Sequence, residues 1–293
     1  LQDLCVAPKY AVMLNTTSDH LDYHKDREEY MEAKERLLSK QGKDAVAVLN
    51  RDYEYYKYYK NLVQGELKEV SREKKMKEGA YVEDGIVRFC SGGEVEDVCS
   101  VSEIELVGSH NVENILPAIV VAYGLCSDFD AIRHTVRTFK NLPYRLQFVR
   151  EVSGVKFYND SFSTNAETSM AAVDSFDEPT VLIAGGYDKG LDYSDWAVKI
   201  LTKPSLHTVI LMGDLADKME ESLIEAEEKL GEAEGSPTKI LRRNSMEDAV
   251  IDGFAESDEG GVVVLSPAAA SFDMYENYKA RGNDFMAHVR KLK

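Results

Sequence analysis

Tyr158-Asn-Asp-Ser-Phe-Ser-Thr-Asn165 follows an apolar stretch and is echoed twice downstream, by Gly185-Gly-Tyr-Asp-Lys-Gly190 and by Leu265-Ser-Pro-Ala-Ala-Ala-Ser-Phe-Asp273. Each segment sits where an expected strand hands over to a loop or helix. In an open α/β sheet such strand ends converge on one crevice. Three polar loops at matching topological positions therefore read as an active site rather than as three unrelated surface loops. The surrounding pattern is regular. Strands are expected near 155–158, 180–184, 208–212, 239–241 and 261–265, alternating with helices. That alternation is the signature of parallel βαβ units and a doubly wound sheet.

Upstream, Ala11-Val-Met-Leu14 reads as a buried strand ending in the polar turn Asn15-Thr-Thr-Ser-Asp-His20. Residues 26–39 have helical spacing and many good helix formers. A second strand covers 45–49, with Asn50 and Asp52 at its exit. Short alternating segments between about 67 and 106, with Asp84-Gly85 between two of them, predict a β-hairpin. Helices are expected over 111–125 and 128–140. Asn141-Leu-Pro143 marks a boundary, because proline disfavours helix at the residue before it. Two domains follow, 1–141 and 142–293. The chain opens on Leu1, and Leu1-Gln-Asp-Leu4 runs straight into what reads as a mid-domain strand, so it is expected to begin inside a larger protein.

The 293 residues leave room for two cores. A net charge of −17 argues against a nucleic-acid partner, which would want a basic face. No apolar run approaches the ~18 residues of a membrane span, and nothing at the start reads as a signal peptide, so no membrane insertion and a cytoplasmic location are expected. Cys5, Cys90, Cys99 and Cys126 lack CxxC spacing and read as reduced thiols. The acidic run 219–229 reads as a solvated helix face, and 231–237 as a polar surface loop. No G-x-x-x-x-G-K-[ST] phosphate loop, nucleophile elbow, HExxH or zinc spacing occurs.

Several constellations carry two readings each. Asp19-His20 and Asp22 follow a strand and could ligate Mg²⁺, with Lys34 on the next helix; alternatively Ser18 or Asp22 caps that helix. Gly108-Ser-His-Asn-Val-Glu-Asn114 opens a helix. Its Asn111 and Asn114 amides could read a purine edge, or Ser109 or Asn111 could simply cap. Arg145 could clamp a phosphate or be solvated. Asp160 could hold a metal or a ribose at the anion-attracting start of a helix, and Thr164 could bond a carboxylate. Lys189, after two turn-permitting glycines, offers a point charge to an anion. Ser271 could cap the last helix, or bind a carboxylate with Phe272 and Tyr278 walling the pocket.

In this order the motifs resemble the Mur ligases of peptidoglycan synthesis. The residues that carry the resemblance are Asn15-Thr-Thr-Ser-Asp-His-Leu-Asp22, Glu32-Ala-Lys34, Gly108 to Asn114, Leu142-Pro-Tyr-Arg145, Asn159-Asp-Ser161 with Thr164-Asn165, Gly185 to Lys189, and Leu265 to Asp273. They span essentially the whole chain, and Ser271-Phe272-Asp273 points to the members that add D-glutamate. The resemblance implies an α/β fold: the later part of a P-loop-type central ATPase domain, followed by a Rossmann-like doubly wound domain for the incoming amino acid. The UDP-sugar domain, the phosphate loop and a metal-binding Glu would lie outside this stretch. It also implies ATP and Mg²⁺ as cofactors. The expected chemistry is an acyl-phosphate reaction joining D-glutamate to UDP-N-acetylmuramoyl-L-alanine, by an enzyme expected to be a monomer.

Carried over position by position, His20 would be a magnesium ligand, and Lys34 would be carbamylated to support a second ion. Asn111 and Asn114 would contact adenine. Arg145 and Asp160 would hold ATP. Thr164, Lys189, Ser271, Phe272 and Tyr278 would form the D-glutamate pocket. Phe162 departs from the pattern, standing where the family commonly has Lys. This stretch alone is expected not to hydrolyse ATP. Two alternatives stay open: a sibling ligase with another acceptor, including one that adds glutamate to a folate, and a non-catalytic nucleotide-binding remnant. Ala268-Ala-Ala-Ser271 favours a small acidic acceptor over a diamino acid.

Overall fold

The structure is a computed structural model and describes residues 7–15, 27–231 and 238–293. Two compact units emerge, the first ending at Phe139 and the second running from Lys140 to Lys293.

The first unit holds one six-stranded sheet in sequential order: β1 (Tyr10–Met13), β2 (Val46–Asn50), β3 (Glu66–Ser71), β4 (Gly79–Glu83), β5 (Ile86–Ser91) and β6 (Glu94–Ser100). The pairs from β1 to β4 are parallel, and β4, β5 and β6 form an antiparallel meander. Side chains alternate between faces with period two. Val48 joins Val70, Ala80, Val87 and Phe89 in a core closed by Leu116, Ile119, Ile132 and Val136. Those last four come from α3 (Ser109–Cys126) and α4 (Phe129–Thr138). Ala47 and Leu49 join Ala11, Met13, Leu38, Tyr56 and Tyr59 on the other side. Leu38 lies on α1 (Arg27–Ser39), and Tyr56 and Tyr59 on α2 (Tyr56–Lys60). The Asp84-Gly85 hairpin is there: both residues are left-handed, at φ 53° and 73°, as a tight two-residue turn requires.

The second unit contains β7 (Gln147–Val152), β8 (Val155–Asn159), α5 (Ala166–Val173), β9 (Thr180–Gly185), α6 (Ser194–Thr202), β10 (Leu206–Met212), α7 (Ala216–Leu230), β11 (Lys239–Arg242), α8 (Met246–Ala255), β12 (Val262–Leu265) and α9 (Tyr278–Lys291). The sheet order is β11-β10-β9-β12-β8-β7. All pairs are parallel except β7, an antiparallel edge strand joined to β8 through Ser153-Gly154. Ile183, Ile210, Val263 and Leu265 pack under α8 and α9 through Met246, Val250, Phe285 and Val289. The acidic run lies in α7, with Met219, Leu223 and Ala226 buried and Glu221, Glu225 and Glu228 exposed.

Two capping expectations need correction. The N-cap of α3 is Gly108, at φ 99° with no side-chain cap bond, rather than Ser109 or Asn111. The N-cap of α9 is Asn277, whose carboxamide oxygen accepts from the Lys279 and Ala280 amides at 3.0 Å, rather than Ser271. The loop 231–237 lies almost wholly outside the described residues, as do Ser18 and Asp22. Among the described residues no helix is long and apolar enough to cross a membrane.

Candidate active site

In the second unit, β9, β12 and β8 lie side by side and parallel, so their carboxyl ends share one edge. The three polar loops leave from that edge and are stitched together by backbone bonds. The amide of Asp160 donates to Leu265 O at 2.8 Å, Ser266 to Ile183 O at 3.1 Å, Gly185 to Pro267 O at 2.8 Å and Tyr187 to Ala270 O at 2.8 Å. Such close approach needs glycine: a Cβ on Gly186, at φ 143°, would stand 2.2 Å from Ala270 O.

Arg281, one turn into α9 and only 4% exposed, holds two of these loops. Its Nε donates to Ser161 Oγ at 3.0 Å, one terminal nitrogen to Ala270 O at 3.2 Å, and the other to Ser161 O and Ala269 O at 3.0 and 2.9 Å. Burial pushes its guanidinium down to about 10, with Asp273 and Tyr275 pulling the other way. A planar fork is the group that can serve several carbonyls at once. The sequence reading missed this residue. Its signal was a cation on an apolar stripe, since Arg281, Phe285 and Val289 recur at helical spacing.

Asp160 is the second tie. Its Oδ1 accepts the Leu146 amide at 3.0 Å, while Oδ2 accepts the hydroxyls of Ser266 at 2.8 Å and of Ser163. Burial pushes the carboxyl up to about 6, opposed by these bonds and by the charge of Arg145. Both of its oxygens are engaged inside the loops.

The other expected residues of this unit surround that frame. Thr164 is half-buried beside Asn165, whose side chain caps α5 by accepting the Thr168 amide at 2.9 Å. Lys189 is exposed, next to Asp188, which takes the Gly190 amide and Lys218. Ser271 is buried, its carbonyl accepting the Tyr275 amide at 2.7 Å. Phe272 is 65% exposed, its ring 6.4 Å from that of Tyr187. Tyr278 belongs to a different aromatic group, 4.8 Å from Phe162 and 5.7 Å from Tyr144. Arg145 sits between two residues of positive φ, Tyr144 at 64° and Leu146 at 43°.

In the first unit, Lys34 lies on α1. Its Nζ points at the Asn15 carbonyl, 3.5 Å away beyond β1, and lies 4.4 Å from the centre of the Tyr30 ring. Asp19, His20 and Asp22 lie outside the described residues. Asn111 donates its amide to Val107 O at 2.7 Å, and Asn114 donates to Asn111 Oδ1 at 3.3 Å. The two carboxamides are thus neighbours on the first turns of α3. Nearby, burial and the charge of Arg72 push His110 below its usual value, and Arg72 pairs with Glu113 at 2.7 Å. Asp52, after β2, accepts Ser71 Oγ at 2.5 Å and the Arg72 amide at 2.7 Å. Among the described residues no group of three His, Cys, Asp or Glu is placed to hold a metal.

The Mur ligase middle domain family matches residues 1–122. The UDP-N-acetylmuramoylalanine–D-glutamate ligase of Acetivibrio thermocellus is 36% identical over 292 residues, covering 100% of this chain and 62% of that protein. The ligase of the same name from a Thermoanaerobacter species is 37% identical over 286 residues, covering 98% and 61%. The chain thus spans 61–62% of the length of these curated relatives. Among solved structures, the MurF ligase of Thermotoga maritima in complex with ADP matches with a TM-score of 0.65 at 18% identity, covering 97% of this chain and 62% of that one. The UDP-N-acetylmuramate–alanine ligase MurC of the same organism matches with a TM-score of 0.64 at 14% identity, covering 97% and 60%. At these identities the structural likeness speaks for the α/β fold alone.

Proposed function

The chain belongs to the Mur ligase family, and from that premise we propose that it serves the ATP-dependent addition of D-glutamate to UDP-N-acetylmuramoyl-L-alanine in peptidoglycan synthesis. The observation that carries this reading is the 36% identity to a D-glutamate ligase along the whole chain, acceptor loops included. Residues 1–141 supply the later part of the nucleotide-binding domain and residues 142–293 the amino-acid-binding domain. The enzyme works in the cytoplasm as a monomer, upstream of cell-shape maintenance and division.

In the reaction, a carboxylate oxygen of UDP-N-acetylmuramoyl-L-alanine takes the terminal phosphoryl group of ATP, and ADP leaves. The amine of D-glutamate then attacks the acyl carbon, phosphate departs, and loss of a proton leaves the amide. Little of this requires covalent chemistry from the protein; positioning and charge stabilisation do most of it. The paired carboxamides of Asn111 and Asn114 offer both donors and acceptors to adenine. Arg145 and Asp160 border the nucleotide phosphates and ribose, Arg145 by direct contact. A D-glutamate dianion finds a cation in Lys189, hydroxyls in Thr164 and Ser271, and apolar walls in Phe272 and Tyr278.

Mg²⁺, a hard ion that takes oxygen ligands, would need Lys34 in its carbamylated form. An ammonium cannot ligate, but a carbamate on Lys34 presents oxygens from the place where Nζ now faces the Asn15 carbonyl. His20, five residues further on, would add a nitrogen. Bound there, Mg²⁺ supplies positive charge to the transferring phosphoryl group.

The test is phosphate release from ATP by the protein extended to the length of its relatives, with Mg²⁺ and UDP-N-acetylmuramoyl-L-alanine. D-glutamate is offered against L-glutamate, L-lysine and diaminopimelate. Release that depends on D-glutamate is expected. Release with another acceptor moves the substrate, and silence with all of them, from a folded protein that binds nucleotide, overturns the ligase reading.

A further inference from the structure

We propose that Phe162 is a positioning residue whose ring fixes the Arg145 guanidinium as the phosphate-facing cation of the second unit. The proposal rests on the ligase reading above. It starts from a contact: the guanidinium carbon of Arg145 lies 3.9 Å from the centre of the Phe162 ring, well within the range of cation–π attraction. Among the described residues the Arg145 side chain makes no hydrogen bond or ion pair, so its N–H edge is open to an acceptor while its face is taken by the ring.

The platform is itself held. On another side Phe162 meets the Tyr278 ring edge-on, at 4.8 Å and 85°. Its amide donates to Tyr144 O at 3.0 Å, and the Tyr144 hydroxyl donates to Asn283 on α9 at 3.0 Å. The Arg145 backbone is fixed as firmly. Both flanking residues occupy the left-handed region that non-glycine residues seldom adopt. Asp160 holds that bend through the Leu146 amide, and Gln147 through the Tyr144 amide. A free arginine spends much of its time in other rotamers. One stacked on a ring, on a bent and pinned backbone, keeps its planar edge turned one way, and two parallel N–H groups on that edge match a phosphate.

This gives the departure at position 162 a physical sense. A lysine there would set a second cation against Arg145 at contact distance. The phenyl ring removes that repulsion and orients the cation that remains. The chain therefore reads its phosphate with one oriented guanidinium where the family pattern offers two positive charges.

The experiment is a double-mutant cycle on the full-length enzyme: wild type, Phe162→Leu, Arg145→Gln and the double variant, with Phe162→Tyr as the conservative control. The readouts are KM for ATP, KM for D-glutamate, kcat, and the NMR signal of the Arg145 Nε–H group. Phe162→Leu, close in size but without a ring, is expected to raise KM for ATP about 3–5-fold and KM for D-glutamate by less, through its contact with Tyr278. Phe162→Tyr should restore the wild-type value. The double variant should be no worse than Arg145→Gln alone, since the ring has nothing left to orient. The ring-current shift of the Arg145 signal should vanish in Phe162→Leu. An active wild type in which the two costs multiply, or an Arg145 signal indifferent to the ring, overturns the positioning role and leaves the ligase reading standing. A wild type silent with every acceptor takes down the ligase reading, and this role with it.

Discussion

Two buried charges of the second unit and the candidate residues of the first are held in opposite ways. At the carboxyl edge of β8, β12 and β9, charged groups are buried and spent on the protein's own loops: Arg281 on three carbonyls and a hydroxyl, Asp160 on an amide and two hydroxyls. In the first unit, among the described residues, the Lys34 ammonium makes one long bond to a carbonyl and rests on a ring, and the Asn114 side chain bonds only its neighbour Asn111. A buried charge that satisfies backbone groups is architecture. A half-exposed one with a weak partner is a group available for chemistry. By this criterion, the residues that shape the three loops are not the ones proposed to touch the acceptor.

The contrast can be broken first at Arg281. Arg281→Met strips partners from three buried carbonyls and is expected to destabilise the second unit by about 3–5 kcal/mol, read by urea unfolding. Arg281→Lys should recover little, because an ammonium lacks the fork. A loss below about 1 kcal/mol would mean that the loops hold themselves.

Lys34→Gln should do the reverse. Stability should move by less than about 0.5 kcal/mol, while ligation falls on the order of 10²–10³-fold. Paired unfolding and phosphate-release measurements decide it, and a large stability loss would make Lys34 structural.

Asp160 sharpens the comparison through pH. Its folded carboxyl, at about 6, lies above the ordinary value of 3.8, so between those values the native state holds a proton that the unfolded chain has lost. Stability from this group therefore falls as pH rises from about 4 to about 6 and is flat above, a change on the order of 3 kcal/mol. Asp160→Asn removes the titration while keeping an acceptor for the Leu146 amide. The stability of Asp160→Asn relative to wild type should thus climb across that window and then level. A gap that does not change with pH would show that the carboxylate is not desolvated.

The sequence disclosed what depends on local pattern. The apolar run at 45–49, the Asp84-Gly85 hairpin and the strands β8, β9, β10 and β12 all carry their signal within a few residues. It hid what depends on partners. Strand β3 reads Glu66-Leu-Lys-Glu-Val-Ser71, charged enough to pass for a loop, and is held by its parallel ladders to β2 and β4 and by Val70 in the core. Strand β7 is a polar edge whose only local cue is Ser153-Gly154. The ties of Arg281 reach Ser161, 120 residues away, a distance no spacing rule spans. Ser109 and Ser271 look like caps because serine is a good cap. The actual starts of α3 and α9 are set by Gly108, whose φ is positive, and by Asn277, placed by the turn after Ser271. Lys189 and Arg145 were legible as chemical candidates because a polar residue at a strand exit or domain boundary asks for a reason, and Lys34, inside a helix, through the family resemblance alone. Their partners, Tyr30 and Phe162, were not.

The central claim is that the loops after β8, β9 and β12 hold the acceptor amino acid. The most direct measurement is KM for D-glutamate in Lys189→Met and Ser271→Ala, alongside KM for ATP and the unfolding midpoint. The account predicts that KM for D-glutamate rises about tenfold or more, with the other two quantities unchanged. A KM for D-glutamate that stays at the wild-type value in both variants would contradict it.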